Sequence, residues 1–242
     1  KPTAGLVSLH GVTPLSWSLD SAGPMTRSAI DAALCLQVIA GHDPRDTASA
    51  DRPVGDYLTG IEGGVRGMCL GVPNNFFFER IDPEVETAVR KAIAELESQG
   101  ATIRYVDIPH ADLTMSIQYG ILLPEASSYH EEMMHEKSDL YQPDVRNFLL
   151  SGKFVPATTY IRAQRLRLKL KEAWAEMFSG LDAILAPTVP AAAVKRTQPS
   201  HIWEDGTEED ITTLYVRLNA PANLLGLPSV SIPCGFNGDG LP

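Results

Sequence analysis

The chain has 242 residues, of which 44% are hydrophobic and 21% charged, a composition typical of a globular protein with a sizeable core. Its acidic residues outnumber its basic residues by 30 to 20, and the formal net charge of −10 repels nucleic-acid phosphates and anionic lipids. No apolar run approaches the roughly 18 residues that cross a bilayer, and the first residues lack the pattern of a secretory signal. We therefore expect neither nucleic-acid nor membrane partners.

The three cysteines, Cys35, Cys69 and Cys234, are far apart in the sequence and have apolar neighbours. An odd number at wide spacing argues against both a disulfide framework and a zinc site. We therefore expect a reducing, cytoplasmic location, no metal and no cofactor. Because Cys35 lies in the apolar body of a predicted helix, it is expected to be a buried, unreactive thiol.

Three segments predict helices. Residues 26–41 have a polar start, apolar residues at three- and four-residue spacing, and a closing glycine. Residues 82–100 begin with Asp82 as a helix N-cap and Pro83 at the first helical position. Residues 156–180 carry one apolar face and one basic face, which favours a surface helix with solvated Arg and Lys over a nucleic-acid-binding helix.

Short apolar runs rich in β-branched residues, and bounded by Gly or Pro, predict strands. They are residues 68–73, 101–109, 183–190 and 229–235. The first two strands flank a predicted helix, which indicates a βαβ unit with neighbouring parallel strands. Since later strands also follow helices, the predicted fold class is α/β. Residues 41–60 and 194–210 are predicted to be surface connections, the second of them mobile.

Two short motifs suggest chemistry that the rest of their pattern does not support. The run HEEMMH separates His130 and His135 by five positions, which turns the second imidazole roughly 140° from the first, so two surface histidines are expected. The run SGKF at 151–154 lacks the earlier glycine and the final hydroxyl residue of a phosphate-binding loop. No G-x-S-x-G elbow is present either.

The segment at residues 11–24 places Ser16, Ser18, Asp20 and Ser21 between glycines and prolines. Short polar side chains in such a setting hydrogen-bond to backbone groups and fix the shape of a loop. Stiff loops often shape functional sites. A site and a purely structural turn both fit this pattern.

The same region resembles the amidase signature family. That family carries K-P-T-x-G-x-V-S and then P-L-x-x-S-L-D-x-x-G-P-x-x-R-S, which stand here as KPTAGLVS (1–8) and PLSWSLDSAGPMTRS (14–28). Further similar segments are DAAL and IAGHDPRD within 31–46, RGMCLGVP (66–73), AQRLR (163–167), DAILAPTVPAAA (182–193) and NLLGLPSVSIPCG (223–235). The resemblance covers essentially the whole chain in order.

The resemblance implies α/β/α layers around a mixed sheet, here incomplete at both ends. Residues 1–242 would form a single-domain segment, the C-terminal portion of an amidase domain without its upstream catalytic region. The family hydrolyses carboxylic amides to an acid and ammonia or an amine through an acyl-serine, using a Ser–cis-Ser–Lys set. All three groups precede Lys1 in the family pattern, so no catalytic residue is expected in this chain. Ser16, Ser18 and Ser21 follow the nucleophile.

The resemblance also implies site residues and partners. Expected contributors to the wall of the substrate pocket are Tyr119, Leu123, Phe148, Val216 and Asn223. Ser18 and Asp20 are expected to brace the loop behind the nucleophile segment. The expected partners are a small-molecule amide and the missing N-terminal portion of the same protein, and a homodimer is left open. The isolated segment is expected to be inactive.

Two alternative functions remain. The A subunit of tRNA-dependent amidotransferases, which also resembles this chain, binds the charged ends of glutamine with an Arg and an Asp. Ungapped alignment puts Phe148 and Val216 at those places, and apolar side chains would leave the ligand charges unpaired. A small shift would restore one charge through Arg146 or Arg217, but a less polar amide is favoured. The second alternative is a non-catalytic scaffold or assembly member of the family.

Overall fold

The computed structural model describes residues 1–242. The helices are α1 (Ala29–Ile39), α2 (Pro83–Ser98), α3 (Thr114–Tyr129), α4 (Glu131–Lys137), α5 (Pro143–Gly152), α6 (Ala157–Met177), α7 (Ile211–Arg217) and α8 (Ala220–Leu225). The strands are β1 (Cys69–Pro73), β2 (Thr102–Val106), β3 (Ala183–Ile184), β4 (Ser200–Ile202) and β5 (Glu208–Asp210). The fold class is α/β, as predicted. None of the helices is long and apolar enough to cross a membrane.

The chain divides into two compact units. Unit 1 contains residues 1–61, 115–169 and 222–229, and unit 2 contains residues 62–114, 170–221 and 230–242. Helix α6 contributes its first part to unit 1 and its last part to unit 2. The sequence-based assignment of one domain segment stays a prediction.

Unit 1 is predominantly helical, with fully buried side chains that include Ile121, Leu149 and Leu224. Helix α5 ends against α3 at Gly152, where an added methyl group would overlap the carbonyl oxygen of Leu123 and lie 2.6 Å from Cβ of Ser127. Only a residue without a side chain fits this contact. The close approach brings α5 against the middle of α3, where Leu123 and its neighbours lie.

Unit 2 contains the predicted βαβ unit. Strand β1 lies between β2 and β3 and runs parallel to both, with Leu70 opposite Ile103 in β2 and Ala183 in β3. Helix α2 begins at Pro83 as predicted, but the Asp82 carboxylate makes no capping hydrogen bond and lies 3.4 Å from Nε2 of His201. The βαβ prediction is therefore confirmed, and Asp82 occupies the predicted N-cap position, although its side chain contacts His201 and does not cap the helix.

Two predicted strands differ from the structure. The run at 183–190 forms a strand of only two residues, and residues 229–235 form no ladder. Their β-branched composition favours extended backbone, but a strand also needs a neighbour to receive its N–H and C=O groups. Conversely, residues 200–210, predicted to be mobile, form the antiparallel hairpin β4–β5. Trp203 orders this hairpin because it packs with Ala191 and Leu214 and donates a 2.9 Å hydrogen bond to Glu209.

Helix α1 differs from its prediction in burial. The helix begins after Ser28, whose hydroxyl accepts the N–H of Asp31 at 3.1 Å, and ends before Ala40. No residue of α1 is buried, and Cys35 is exposed. The prediction of a buried thiol is therefore wrong, because only Ala32, Ala33 and Leu36 of the apolar residues in α1 are half-buried and Cys35 lies outside that face.

Candidate functional site

The buried centre of unit 1 is the carboxylate of Glu125 on α3. Its side chain is 1% exposed, and its oxygens accept hydrogen bonds from the Ser16 hydroxyl at 2.5 Å and the Ser18 backbone N–H at 3.2 Å. From α6, the Tyr160 hydroxyl donates at 3.0 Å and the Gln164 amide at 3.4 Å. Burial of a carboxylate is costly unless its oxygens are hydrogen-bonded. The four donors meet this requirement, and they join the residue 14–20 loop to two helices.

Arg167 on α6 holds the same loop from another side. Its guanidinium donates to the Leu224 carbonyl at 2.6 Å, the Ser18 carbonyl at 3.0 Å and the Ser18 hydroxyl at 3.2 Å. Burial lowers the pKa of Arg167 from its ordinary value, opposed by the nearby charge of Glu125, and the side chain stays protonated. The prediction that the Arg side chains of this helix are solvated is therefore wrong for Arg167. Ser18 links the two charges, since its backbone N–H donates to Glu125 and its oxygens accept from Arg167.

Asp20 and His130 complete the hydrogen bonds of the loop. The Asp20 carboxylate accepts the N–H groups of Leu15 at 2.8 Å and Ser16 at 3.2 Å. His130 is 9% exposed, and its Nε2 donates to the Pro14 carbonyl at 3.0 Å, because a carbonyl oxygen only accepts. The prediction of two surface histidines is thus wrong for His130, which a contact with the loop holds inside the protein.

The loop and the residues just before it also carry exposed apolar side chains, whereas Leu19 is buried. Val12, Leu15 and Trp17 are 47%, 44% and 47% exposed. Ser16, Ser18 and Asp20 instead contact Glu125, Arg167 and the loop backbone. The geometry is that of a rigid support whose outer surface is apolar, and it contains no exposed nucleophile–base pair of the kind that acyl transfer requires.

The five predicted pocket residues occupy different places. Tyr119 and Leu123 are four residues apart on α3, on one helical face, and both are half-buried. Phe148 on α5 packs against a buried cluster of Ala126, Met134 and Leu149. Asn223 is half-buried in α8 of unit 1, and Val216 is half-buried in α7 of unit 2. That these five share a substrate pocket stays a prediction.

A cavity of about 410 Å³ lies within unit 2 and is lined by none of those five residues. Its wall is mostly apolar and comes from α2, from residues 187–189 and from the unpaired segment 231–237. Asp82, Glu84 and the exposed Cys234 also line it. The volume suits a small ligand, but the wall carries few polar groups that would orient one.

Of the two arginines that could restore a charge for glutamine, Arg217 is engaged in other contacts. In unit 2 the Arg217 side chain is 12% exposed, donates to Glu209 at 3.1 Å, and also donates to the Glu79 and Arg80 carbonyl oxygens. In unit 1 Arg146 lies 3.7 Å from Asp139. Arg217 is therefore committed to contacts within its own unit.

The Amidase family model matches residues 1–242. The chain belongs to the amidase family. It is 47% identical over 241 residues to an amidase of Pseudomonas putida, an alignment that covers 100% of this chain and 52% of that protein. It is 37% identical over 266 residues to the A subunit of the glutamyl-tRNA(Gln) amidotransferase of Myxococcus xanthus, covering 100% of this chain and 54% of the relative.

Solved structures agree with this assignment. The A subunit of the glutamyl-tRNA(Gln) amidotransferase of Thermotoga maritima superposes with a TM-score of 0.79 at 34% identity, covering 100% of this chain and 51% of that structure. The chain thus spans about half the length of the curated relatives it matches. The resemblance to the amidase signature family, read from the KPTAGLVS and SLDSAGP segments, is confirmed.

Sequence reasoning did not find four members of the buried network, namely Glu125, Tyr160, Gln164 and Arg167. Glu125 carries a usable signal, because it is a single acidic residue in the apolar run ILLPEASSY, and such a residue needs internal donors. The other three follow spacings of four and three along α6, which place them on one helical face. Without the position of Glu125, that face is indistinguishable from solvated surface.

Proposed function

We propose that the intact protein hydrolyses a carboxylic amide to an acid and ammonia or an amine through an acyl-serine intermediate. Residues 1–242 supply scaffold and one wall of the acyl pocket. The observation that carries this proposal is the match of the amidase family over the entire chain, with 47% identity to an amidase. The alignment covers only about half of that amidase. We take the catalytic groups of the intact protein to lie in the part that corresponds to the other half.

The chemistry supports a catalytic set outside this chain. Amide hydrolysis through an acyl-serine needs an accessible serine, a base that takes its proton, and donors for the oxyanion. Ser16 is fully buried, and its hydroxyl donates a hydrogen bond to the Glu125 carboxylate. The Ser18 hydroxyl accepts from Arg167. Neither serine is therefore free to attack a carbonyl, and both act as support for the loop.

The favoured substrate is less polar than glutamine. Phe148 and Val216 cannot balance the carboxylate and ammonium groups of a zwitterion, and unpaired charges in a pocket weaken binding strongly. Arg217, the nearest replacement for one of them, is bonded to Glu209. The higher identity to an amidase, 47% against 37% for an amidotransferase component, supports the same preference.

The test is a comparison of substrates on the intact protein. Release of ammonia is measured for short aliphatic amides, aromatic amides and glutamine, without tRNA or added proteins. We expect turnover of simple amides and weak or no turnover of glutamine. Glutaminase activity that requires partner proteins and charged tRNA would instead identify an amidotransferase component. Absence of turnover under all conditions would favour a scaffold.

A further inference from the structure

Helix α1 in unit 1 is apolar on nearly every side but is only partly covered, with Ala32, Ala33 and Leu36 half-buried. All its residues except Asp31 and Gln37 are apolar, and none is buried. Ile30 and Leu34 are each 46% exposed, and Val38 is 83% exposed. A helix that is hydrophobic all round belongs in the interior of a protein. The composition of α1 and its exposure therefore disagree.

The exposed residues form a continuous stripe. Ile30, Leu34 and Val38 recur every four positions, so they lie on one face of the helix. Met25, just before the helix, is 98% exposed. We call Ile30, Leu34 and Val38 the α1 face. The extent of this face exceeds the single apolar side chains that soluble surfaces ordinarily show.

Few contacts hold α1 in unit 1. The polar ones are the bridge between Val7 and Ala40, the hydrogen bond from Gly41 to the Leu6 carbonyl at 3.0 Å, and the bond from the Tyr57 N–H to Gln37 at 3.0 Å. A helix of 11 residues is marginal in water without tertiary packing. Its stability therefore calls for a surface that buries the α1 face.

We propose that the α1 face is an internal contact surface of the intact amidase, covered by the half of the polypeptide that its relatives carry outside the region aligned with residues 1–242. This inference rests on the proposed function, because it takes the intact protein to have the length of an amidase. The P. putida amidase aligns with all of this chain, yet 48% of that amidase lies outside the alignment, since 52% is covered. That portion is the occupant to which the proposal commits.

The chemistry of the face fits an occupant of the same chain. The interior contacts of a folded domain are apolar and carry few charges, whereas interfaces between separate proteins have a polar rim. Asp31 is the only charged residue within α1. A surface that is this uniformly apolar would promote aggregation if it were left open to solvent.

Cys35 is a native reporter of this contact. It is exposed, lies on α1, and precedes Val38 by three residues and Ile39 by four, so a layer over Val38 shields the thiol. The intact protein is treated with N-ethylmaleimide, native and unfolded, at several protein concentrations, and peptide mass mapping gives the rate at Cys35. We expect modification at least about tenfold slower in the native protein, at every concentration. Equal rates would overturn the proposal, and so would protection that disappears on dilution, because it would identify a second copy as the occupant.

A charge placed on the face gives a second, independent readout. In the intact protein we expect Leu34→Glu to lower the midpoint of thermal unfolding clearly more than Leu140→Glu, since Leu140 is 80% exposed and lies off this helix. Equal midpoints would overturn the proposal, and if Leu34→Glu yields no folded protein the Cys35 measurement decides. Amide hydrolysis is assayed on the same wild-type preparation. Activity with an unprotected Cys35 refutes only this inference, and protection without activity refutes only the proposed function.

Discussion

The hydroxyl of Ser16 donates a 2.5 Å hydrogen bond to the buried carboxylate of Glu125, 109 residues further along the chain. The contact joins the family's S-L-D loop to a helix that carries no recognised motif. Because Glu125 depends on the loop for two of its donors, and the loop depends on Glu125 for its shape, the two elements stabilise each other.

Ser16→Ala should lower the free energy of unfolding by about 1–3 kcal/mol, because it removes a donor from a buried carboxylate. Ser128→Ala is the control, since Ser128 is exposed on the same helix as Glu125, and its effect should stay within about 0.5 kcal/mol. Urea unfolding of both variants, of Glu125→Gln, and of the double variant Ser16→Ala/Glu125→Gln measures the coupling. Strict additivity of the two substitutions would contradict a direct interaction.

Arg167→Lys should cost roughly 1.5–3 kcal/mol of unfolding free energy although the charge is unchanged. A planar guanidinium reaches the Leu224 carbonyl and both oxygens of Ser18 together, whereas an ammonium group on a flexible stem cannot match all three. Arg165→Lys, at an exposed position on the same helix, serves as the control. Equal stability of the two variants would show that Arg167 acts only as a charge.

Gly152→Ala should destabilise the protein by about 3 kcal/mol or more, because the new methyl group would overlap the Leu123 carbonyl and force α5 away from α3. The exposed Asn147→Ala on the same helix should have little effect. Differential scanning calorimetry of both variants provides the comparison. A wild-type midpoint for Gly152→Ala would mean that α5 does not pack against α3 in this way.

Tyr160 should make stability depend on alkaline pH. Burial raises the pKa of its phenol above the ordinary value of 10.0, so the folded protein keeps this proton to a higher pH than the unfolded chain does. The stabilisation is fully present below the unfolded pKa and is lost as the pH rises through the folded pKa. Between about pH 9 and about pH 11, the unfolding free energy of the wild type should fall more steeply than that of Tyr160→Phe. Tyr129→Phe, at an exposed residue, should follow the wild type, and identical slopes for all three proteins would contradict the expectation.

Much of the local structure could be predicted from the sequence. Helix α2 and strands β1 and β2 are predictable because strong signals coincide there, namely Pro83 at the first helical position, a closing glycine, and β-branched runs on both sides. Helix α3 carries no such signal, since it is apolar on most sides and contains Pro124. Its position follows from packing against Gly152, a contact between segments far apart in sequence.

The candidate site was harder to predict, because its contacts also join segments that are far apart in the sequence. The loop residues Ser18 and Asp20 could be selected because turn chemistry is local. Glu125 and Arg167 could not be paired with them, because their contacts join segments more than 100 residues apart. At Cys35 and at residues 229–235 the error has the opposite sign, because the local sequence predicts burial and a strand that the structure does not show. Composition favours burial and strand formation there, but neither takes place without a neighbouring surface.

We propose that the nucleophile of the intact protein lies outside residues 1–242. The most direct test is to treat the active intact protein with a fluorophosphonate, which forms a stable bond with an activated serine, and to locate the label by peptide mass mapping. We predict one labelled serine outside this chain, and loss of amide hydrolysis in proportion to labelling. A label on Ser16, Ser18 or Ser21 would contradict the claim.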